Sequence, residues 1–377
     1  MAKLGEVFTI ASGGTPDKGN PFYYENGTIP WVKTGDLKNQ YVPTGIDCIT
    51  EEGLNNSSAK LFPPNTVLVA MYGATIGACS ILSYEAATNQ ACAAFLPNEN
   101  VLPTYLYYFL SSKREQFVKD GVGGAQPNIS AGYLKNVQFG LIPMQQQIDI
   151  VEKLDKVEKL IALRKEQLAK LNQLVKSRFV ELFGDTPDEE KKTMADICKI
   201  ITDGTHQPPK FTSTGIPFLF VSNIVTNEIH YDAEKFISEE TYAELIKRTP
   251  IAIGDILLST VGSYGHPAVV KSDKPFCFQR HIAYLKPNAD MVNSEYLRGA
   301  ILSADVQRQI DERVKGIAQK TLNLSEIRKL QLPLPSMEQQ EQFAAFVEQT
   351  DKSKLAIQYS LNKLELLKKS LMQKYFG

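Results

Sequence analysis

The residues of this chain that could do covalent chemistry are few, and none is spaced to do it. Gln207-Pro208-Pro209-Lys210 has the proline pair of the turn on which an amino-methyltransferase holds a flipped base. Gln207, however, has an amide of the wrong length, and Lys210 stands where an aromatic ring would stack. Pro187-Asp188 and Glu190-Lys191-Lys192 carry the letters of a nuclease site, yet they crowd into the polar run from Asp185 to Thr193, which reads as a solvated linker without walls for a metal. Cys277 and His281 fall on one side of an extended segment, but a third and fourth ligand at metal spacing are missing, and His206, His230 and His266 are scattered. Walker loops, nucleophile elbows and paired acids are absent from the sequence. The expectation is a chain with no catalytic residue, no metal and no cofactor of its own.

The elements that would position a binding site are duplicated. Residues 123–184 align without a gap on 316–377, because Gly377 minus Gly184 and Gln319 minus Gln126 both give 193. The register carries Gly123/Gly316, Met144/Met337, Gln146-Gln147/Gln339-Gln340, Leu168/Leu361 and Phe183-Gly184/Phe376-Gly377. Upstream the likeness survives in patches. Gly14-Thr15 parallels Gly204-Thr205, Ile29-Pro30-Trp31 parallels Ile216-Pro217-Phe218, and Thr66-Val67-Leu68 parallels Asp255-Ile256-Leu257. Two long copies are too few for a solenoid.

Residues 1–142 read as short strands and turns, with Asn26-Gly27 and Pro63-Pro64-Asn65 as breakers, a buried strand over 66–71 and a helix over 104–119. From Gln145 the spacing changes to that of a long helix. Leu154, Ile161, Leu168, Val175 and Leu182 recur every seventh residue, and Ile150, Val157 and Leu171 form the neighbouring seam. The C-terminal copy offers Phe343, Val347, Ile357, Leu361, Leu364 and Leu371. A sustained seam needs a partner, and the other copy in the same chain is the simplest one. At 1.5 Å per residue a helix over 148–182 spans roughly 50 Å. The second domain repeats the plan, with strands expected over 217–221, 255–261 and 276–285 and a helix over 294–312. The predicted parts are 1–142, 143–193, 194–335 and 336–377.

Composition sets bounds on partners. The net charge is −1, and Lys+Arg against Asp+Glu is 9 to 11 over 1–142 and 16 to 16 over 194–335, so neither domain is a basic module. A chain that holds DNA alone usually carries an electrostatic footprint, so a partner is expected to supply phosphate binding. Five unpaired-looking cysteines, no apolar run of membrane length and no signal-like N-terminus predict buried thiols, no membrane and a cytoplasmic address.

Ile29-Pro30-Trp31-Val32-Lys33-Thr34-Gly35-Asp36, the run Val67 to Gly77, the turn at Gln126, and Leu332-Pro333-Leu334-Pro335-Ser336-Met337-Glu338-Gln339-Gln340 together resemble the DNA specificity subunit of type I restriction-modification systems, over nearly the whole chain. The resemblance implies an α+β fold with two duplicated α/β target recognition domains separated by two long antiparallel coiled-coil helices. Each domain would read one half of a bipartite site on double-stranded DNA, and the helices would set the unread spacer and dock two modification subunits. Those methyltransferase subunits would bring S-adenosylmethionine, and restriction subunits, the translocase and nuclease, would bring ATP and Mg. In the first copy, Ile142-Pro143-Met144-Gln145 departs from the pattern, which predicts that the two long helices start differently.

Amides suit adenine and cations suit guanine in the major groove. Lys33, Tyr72, Thr75, Asn89, Gln90 and Gln126 are therefore the DNA candidates of the first domain. Those of the second are Lys210, Ser263, Tyr264, Gln279, Arg280, His281 and Gln319. Helix pairing is assigned to Leu154, Ile161, Leu168, Leu171, Val175, Ile357, Leu361, Leu364 and Leu371. Two competing readings remain: a coiled-coil scaffold that does not read DNA, and a self-sufficient methyltransferase or nuclease.

Overall fold

The computed structural model describes residues 1–122, 128–184, 186–187, 190–316 and 319–377. The chain divides into two compact units, one of residues 1–164 with 360–377 and one of residues 165–359. Each unit therefore takes half of each long helix.

In the first unit, strands β1 (Ile10–Ser12), β2 (Ile29–Val32), β3 (Cys48–Ile49), β4 (Leu61–Phe62), β5 (Val67–Ala70), β6 (Cys79–Ile81), β7 (Ala86–Thr88) and β8 (Cys92–Phe95) make two sheets. One has the order β1-β8-β5-β6 and is antiparallel throughout; the other has the order β3-β2-β7-β4, with β2 and β7 parallel. The apolar run Val67-Leu68-Val69-Ala70 is buried on both faces. Strand side chains alternate, so Val67 and Val69 join one core with Phe8, Phe95 and Phe139, while Leu68 and Ala70 join another with Val32 and Phe62.

The second unit repeats this plan with β9 (Cys198–Asp203), β10 (Ile216–Leu219), β11 (Lys235–Ile237), β12 (Ile256–Ser259), β13 (Pro267–Val269), β14 (Cys277–Phe278) and β15 (Ile282–Pro287). Its sheets run β9-β15-β12-β13 and β11-β10-β14, and β10 and β14 are again the parallel pair. Ile256 and Leu258 face one core, Leu257 the other.

Three expectations are corrected. The strand expected over 276–285 is two strands in different sheets, because Gln279–His281 carries the chain across from one to the other; Cys277 and His281 therefore do not share a strand. The helices expected over 104–119 and 294–312 each break in two, the second where the Ser303 hydroxyl accepts the Val306 N–H and caps a new start. The expected linker up to Thr193 ends in structure, since Lys191–Thr193 pairs with Gln331–Pro333 and Lys191 bonds Asp305 at 3.1 Å.

The long helices run Met144–Phe183 and Met337–Phe376. Gln147, fully buried, accepts from Leu102 N and donates to Asn100 O and Ile142 O. Gln340, equally buried, accepts from Asn293 N and donates to Met291 O and Pro335 O. The same three bonds recur at both starts, but the cap differs as expected: Ser336 N donates to Gln339 Oε1 at 3.2 Å and the Ser336 hydroxyl accepts from Gln339 N at 3.4 Å, bonds that Pro143 at the equivalent place, with neither N–H nor hydroxyl, does not make.

Within the first unit the helix halves are antiparallel, with Glu158 ion-paired to Lys368 and Leu154 in one core with Phe376. Phe376 packs on Tyr105 and Phe109 of α1 (Pro103–Ser112) at 5.3 and 6.2 Å between ring centres. Leu154, Ile161 and Leu361 are buried, Leu364 is half-buried, and Leu371 lies against the same core. Within the second unit Phe179 and Phe183 pack on Phe343 and on Tyr296 of α2 (Ser294–Ile301). Gly299 makes this possible, because a Cβ there would stand 2.5 Å from the Phe343 ring. Leu168, Leu171, Val175 and Ile357 are half-buried. Leu182 of the seven-residue series is exposed, and Phe179 and Phe183 take the contact instead, as a straight helix drifts relative to a heptad.

Candidate nucleic-acid interface

Several of the residues predicted from sequence lie where the chain crosses between the two sheets of each unit. In the first unit the C-terminal ends of the parallel strands β2 and β7 lie together, and the chain leaves them at Lys33 and Asn89. Asn89 N donates to Val32 O at 3.0 Å and Gly14 N to Thr88 O at 2.9 Å. Gly13 must be glycine here, since a Cβ would overlap the Thr88 carbonyl. Thr15 donates its hydroxyl to the Gln90 side-chain carbonyl. From the neighbouring strand, Met71 N donates to Ala91 O at 2.8 Å, and the exposed Tyr72 bridges to Asn128. The turn after it is held by positive φ at Gly73 and by the Thr75 hydroxyl, which donates to Tyr72 O at 3.2 Å. Lys33 is ion-paired to Asp47 and lies 5.8 Å from the Trp31 ring centre, so its charge is already partly neutralised. Gln126 lies outside the described residues.

The second unit builds the same junction from different side chains. Gln279 N donates to Leu219 O at 3.2 Å, Thr205 N to Phe278 O at 3.2 Å, and Thr260 N to His281 O at 3.0 Å. These bonds make Asn89-Gln90-Ala91 equivalent to Gln279-Arg280-His281, and Tyr72-Gly73 equivalent to Val261-Gly262. They also shift the pairing of the glycine turns by one: Gly204, where a Cβ would overlap the Phe278 carbonyl, matches Gly13 rather than Gly14. The counterpart of Lys33 is Phe220, whose N–H is capped by Asn223 as that of Lys33 is by Asp36. Lys210 is exposed on the loop before β10. Ser263 is exposed on the turn after Val261, while Tyr264 points its hydroxyl at Asp311, 2.9 Å away.

Arg280, His281 and Gln319 share a cleft of about 270 Å³ with Asp203, Thr260 and Asn323. Asp203 was not legible in sequence, because its partner Arg248, at 2.5 Å, lies 45 residues away; His206 is its other partner, at 2.9 Å. Burial and the neighbouring Arg280 push the His281 imidazole below its usual pKa. It is therefore neutral at pH 7 and offers one donor and one acceptor. The surface is thus rich in amides, hydroxyls and one cation, which suits the donor and acceptor edges of bases. Among the described residues no cluster of three or more His, Cys, Asp or Glu is arranged to hold a metal, and no helix is long and apolar enough to cross a membrane. Burial pushes the Cys79, Cys92, Cys198 and Cys277 thiols up to about 12, so none is a nucleophile at neutral pH.

The chain is 31% identical over 162 residues to the EcoR124I/EcoR124II specificity subunit of Escherichia coli, covering 42% of this chain and 40% of that one. It is 25% identical to the MjaIX specificity subunit of Methanocaldococcus jannaschii, covering 92% of this chain and 85% of that one. The fold matches the type I restriction-modification S subunit from M. genitalium, with a TM-score of 0.55 at 15% identity over 100% of this chain and 95% of that one. It also matches a chain from a structure on complex assembly and conformational transition of the type I R-M system, with a TM-score of 0.60 at 17% identity over 100% and 96%. The sequence profile of the type I restriction modification DNA specificity domain matches twice, over residues 1–173 and 188–366, so the chain belongs to that family.

Proposed function

We propose that this chain is the non-catalytic sequence-specificity subunit of a type I restriction-modification complex, each unit reading one half of a bipartite site on double-stranded DNA. The observation that carries this reading is the duplicated junction, whose backbone bonds repeat while its side chains differ: Asn89-Gln90-Ala91 against Gln279-Arg280-His281. A shared scaffold with exchanged polar tips is what two half-sites of different sequence require. The helices set the spacer between the half-sites and carry two modification subunits on outer faces that leave Leu160, Leu163, Leu174, Leu355 and Leu366 exposed. With a net charge of −1, the chain relies on those partners for much of the phosphate contact. S-adenosylmethionine belongs to the modification subunits, and ATP and Mg to restriction subunits.

The test is a map of methylated adenines across the genome of cells with and without this gene, and with residues 1–142 exchanged for those of a relative. Loss of one bipartite motif without the gene, and a change confined to one half-site in the exchange, are the expected results. A map that ignores both manipulations would return the scaffold reading.

A further inference from the structure

Arg280 stands apart from the other arginines of the second unit. Arg178, Arg248, Arg298, Arg308, Arg313 and Arg328 each donate to a carboxylate or a backbone carbonyl. The Arg280 guanidinium has no hydrogen-bond or ion-pair partner among the described residues. The nearby carboxylate of Asp203, which lines the same cleft, is already engaged by Arg248 and His206. The backbone beneath Arg280 is nonetheless fixed from three sides. Arg280 N donates to Thr205 O at 3.1 Å, Gln279 N to Leu219 O, and Ile282 N to Gln279 O at 3.1 Å. An exposed, uncompensated, planar fork of donors on a rigid support is organised for an acceptor that the chain itself does not supply.

The first unit places Gln90 at the same junction position, and its cation, Lys33, is one strand end away and paired to Asp47. Among the described residues, the second unit alone thus presents an unpaired cation at this point. Guanine offers the matching pair of acceptors, O6 and N7, to one guanidinium in the major groove, and an amide at the same place favours adenine. We infer that Arg280 is a specificity-determining residue that reads a guanine in the half-site of the second unit, and that Gln90 is its counterpart against a different base in the first. This rests on the DNA-reading function proposed above.

The experiment uses the full-length chain co-expressed with its modification subunits and a randomised DNA duplex library as probe, followed by sequencing of bound duplexes. For the unchanged chain the expected result is a bipartite motif with a guanine in one half. Arg280→Gln should lower the preference for that guanine about tenfold to a hundredfold and leave the other half unchanged. Arg280→Lys, which keeps the charge but loses the fork, should fall between the two. Gln90→Arg should move a guanine preference into the other half-site. A uniform loss of binding across all sequences with Arg280→Gln would reduce Arg280 to a phosphate contact and overturn the assignment. An unchanged motif in Arg280→Gln and Gln90→Arg would overturn it while leaving DNA reading intact. The absence of any motif with the unchanged chain would instead overturn the function on which it rests. Circular dichroism melting of each variant at the unchanged temperature keeps a folding defect from imitating either result.

Discussion

At the scale of single residues, the two buried glutamines decide where each long helix begins. A glutamine has two donor sites and one carbonyl, and Gln147 and Gln340 each spend them on three backbone groups that a helix start and the preceding loop leave orphaned. Gln147→Met keeps the volume and removes the bonds, leaving two part-buried carbonyls and one N–H without these partners. The expected cost is about 3 kcal/mol in urea unfolding, since each orphaned group costs about 1–3 kcal/mol and part of that is recovered by water. Gln146-Gln147 and Gln339-Gln340 were legible as equivalent pairs from the offset of 193. That the second of each pair turns inward depended on Leu102 and Asn293, 45 and 47 residues earlier.

At the scale of elements, α2 and the C-terminal helix are joined by a charge network. Arg298, nearly buried, bonds Glu295 at 2.8 Å and lies 3.4 Å from Asp351, which Lys271 and Lys354 approach at 3.3 and 3.2 Å. Burial pushes the Asp351 carboxyl up, but Arg298, Lys354 and Lys271 outweigh it and hold the group below the usual carboxylate range. A carboxyl depressed in the folded state adds stability that is present above its unfolded pKa, near 3.9, and is lost as pH falls through the folded value. Melting temperature measured from pH 6 downwards should therefore drop below about pH 4, and Asp351→Asn should be less stable at pH 6 and show a shallower acid slope. The position equivalent to Gly299 in the first unit is Tyr108, whose hydroxyl donates to Asp155 at 2.6 Å. The two docking surfaces have thus been repacked with different pieces: a glycine that admits Phe343 in one, a tyrosine that bonds a helix carboxylate in the other.

At the scale of the whole molecule, the first unit is completed by residues 360–377. Phe376 closes the core over Tyr105 and Phe109, and Lys113 donates to the Phe376 carbonyl at 2.6 Å. Phe376→Ala should cost about 3–5 kcal/mol and should be felt in the first unit alone. Hydrogen exchange is the measurement: peptides from 103–112 should lose protection, while those from 294–301, packed on Phe179 and Phe343, should keep it. Equal loss in both would mean that the units unfold as one.

The duplication, the two long helices and their apolar seams were legible in the amino-acid sequence. Those features are local: they follow from the period of apolar residues and the offset of 193. The proposed base contacts Asn89-Gln90 and Gln279-Arg280-His281 stand out in the sequence as polar interruptions in apolar runs. What only the tertiary structure decided were the partnerships. Phe220 as the match of Lys33, Gly204 as the match of Gly13, the crossing of 279–281 between sheets, and the pairing of Asp203 with Arg248 all join residues through backbone bonds or charges made across long separations. A repeat whose loops have changed length hides such matches from alignment, and only the conserved hydrogen bonds of the folded sheets restore them.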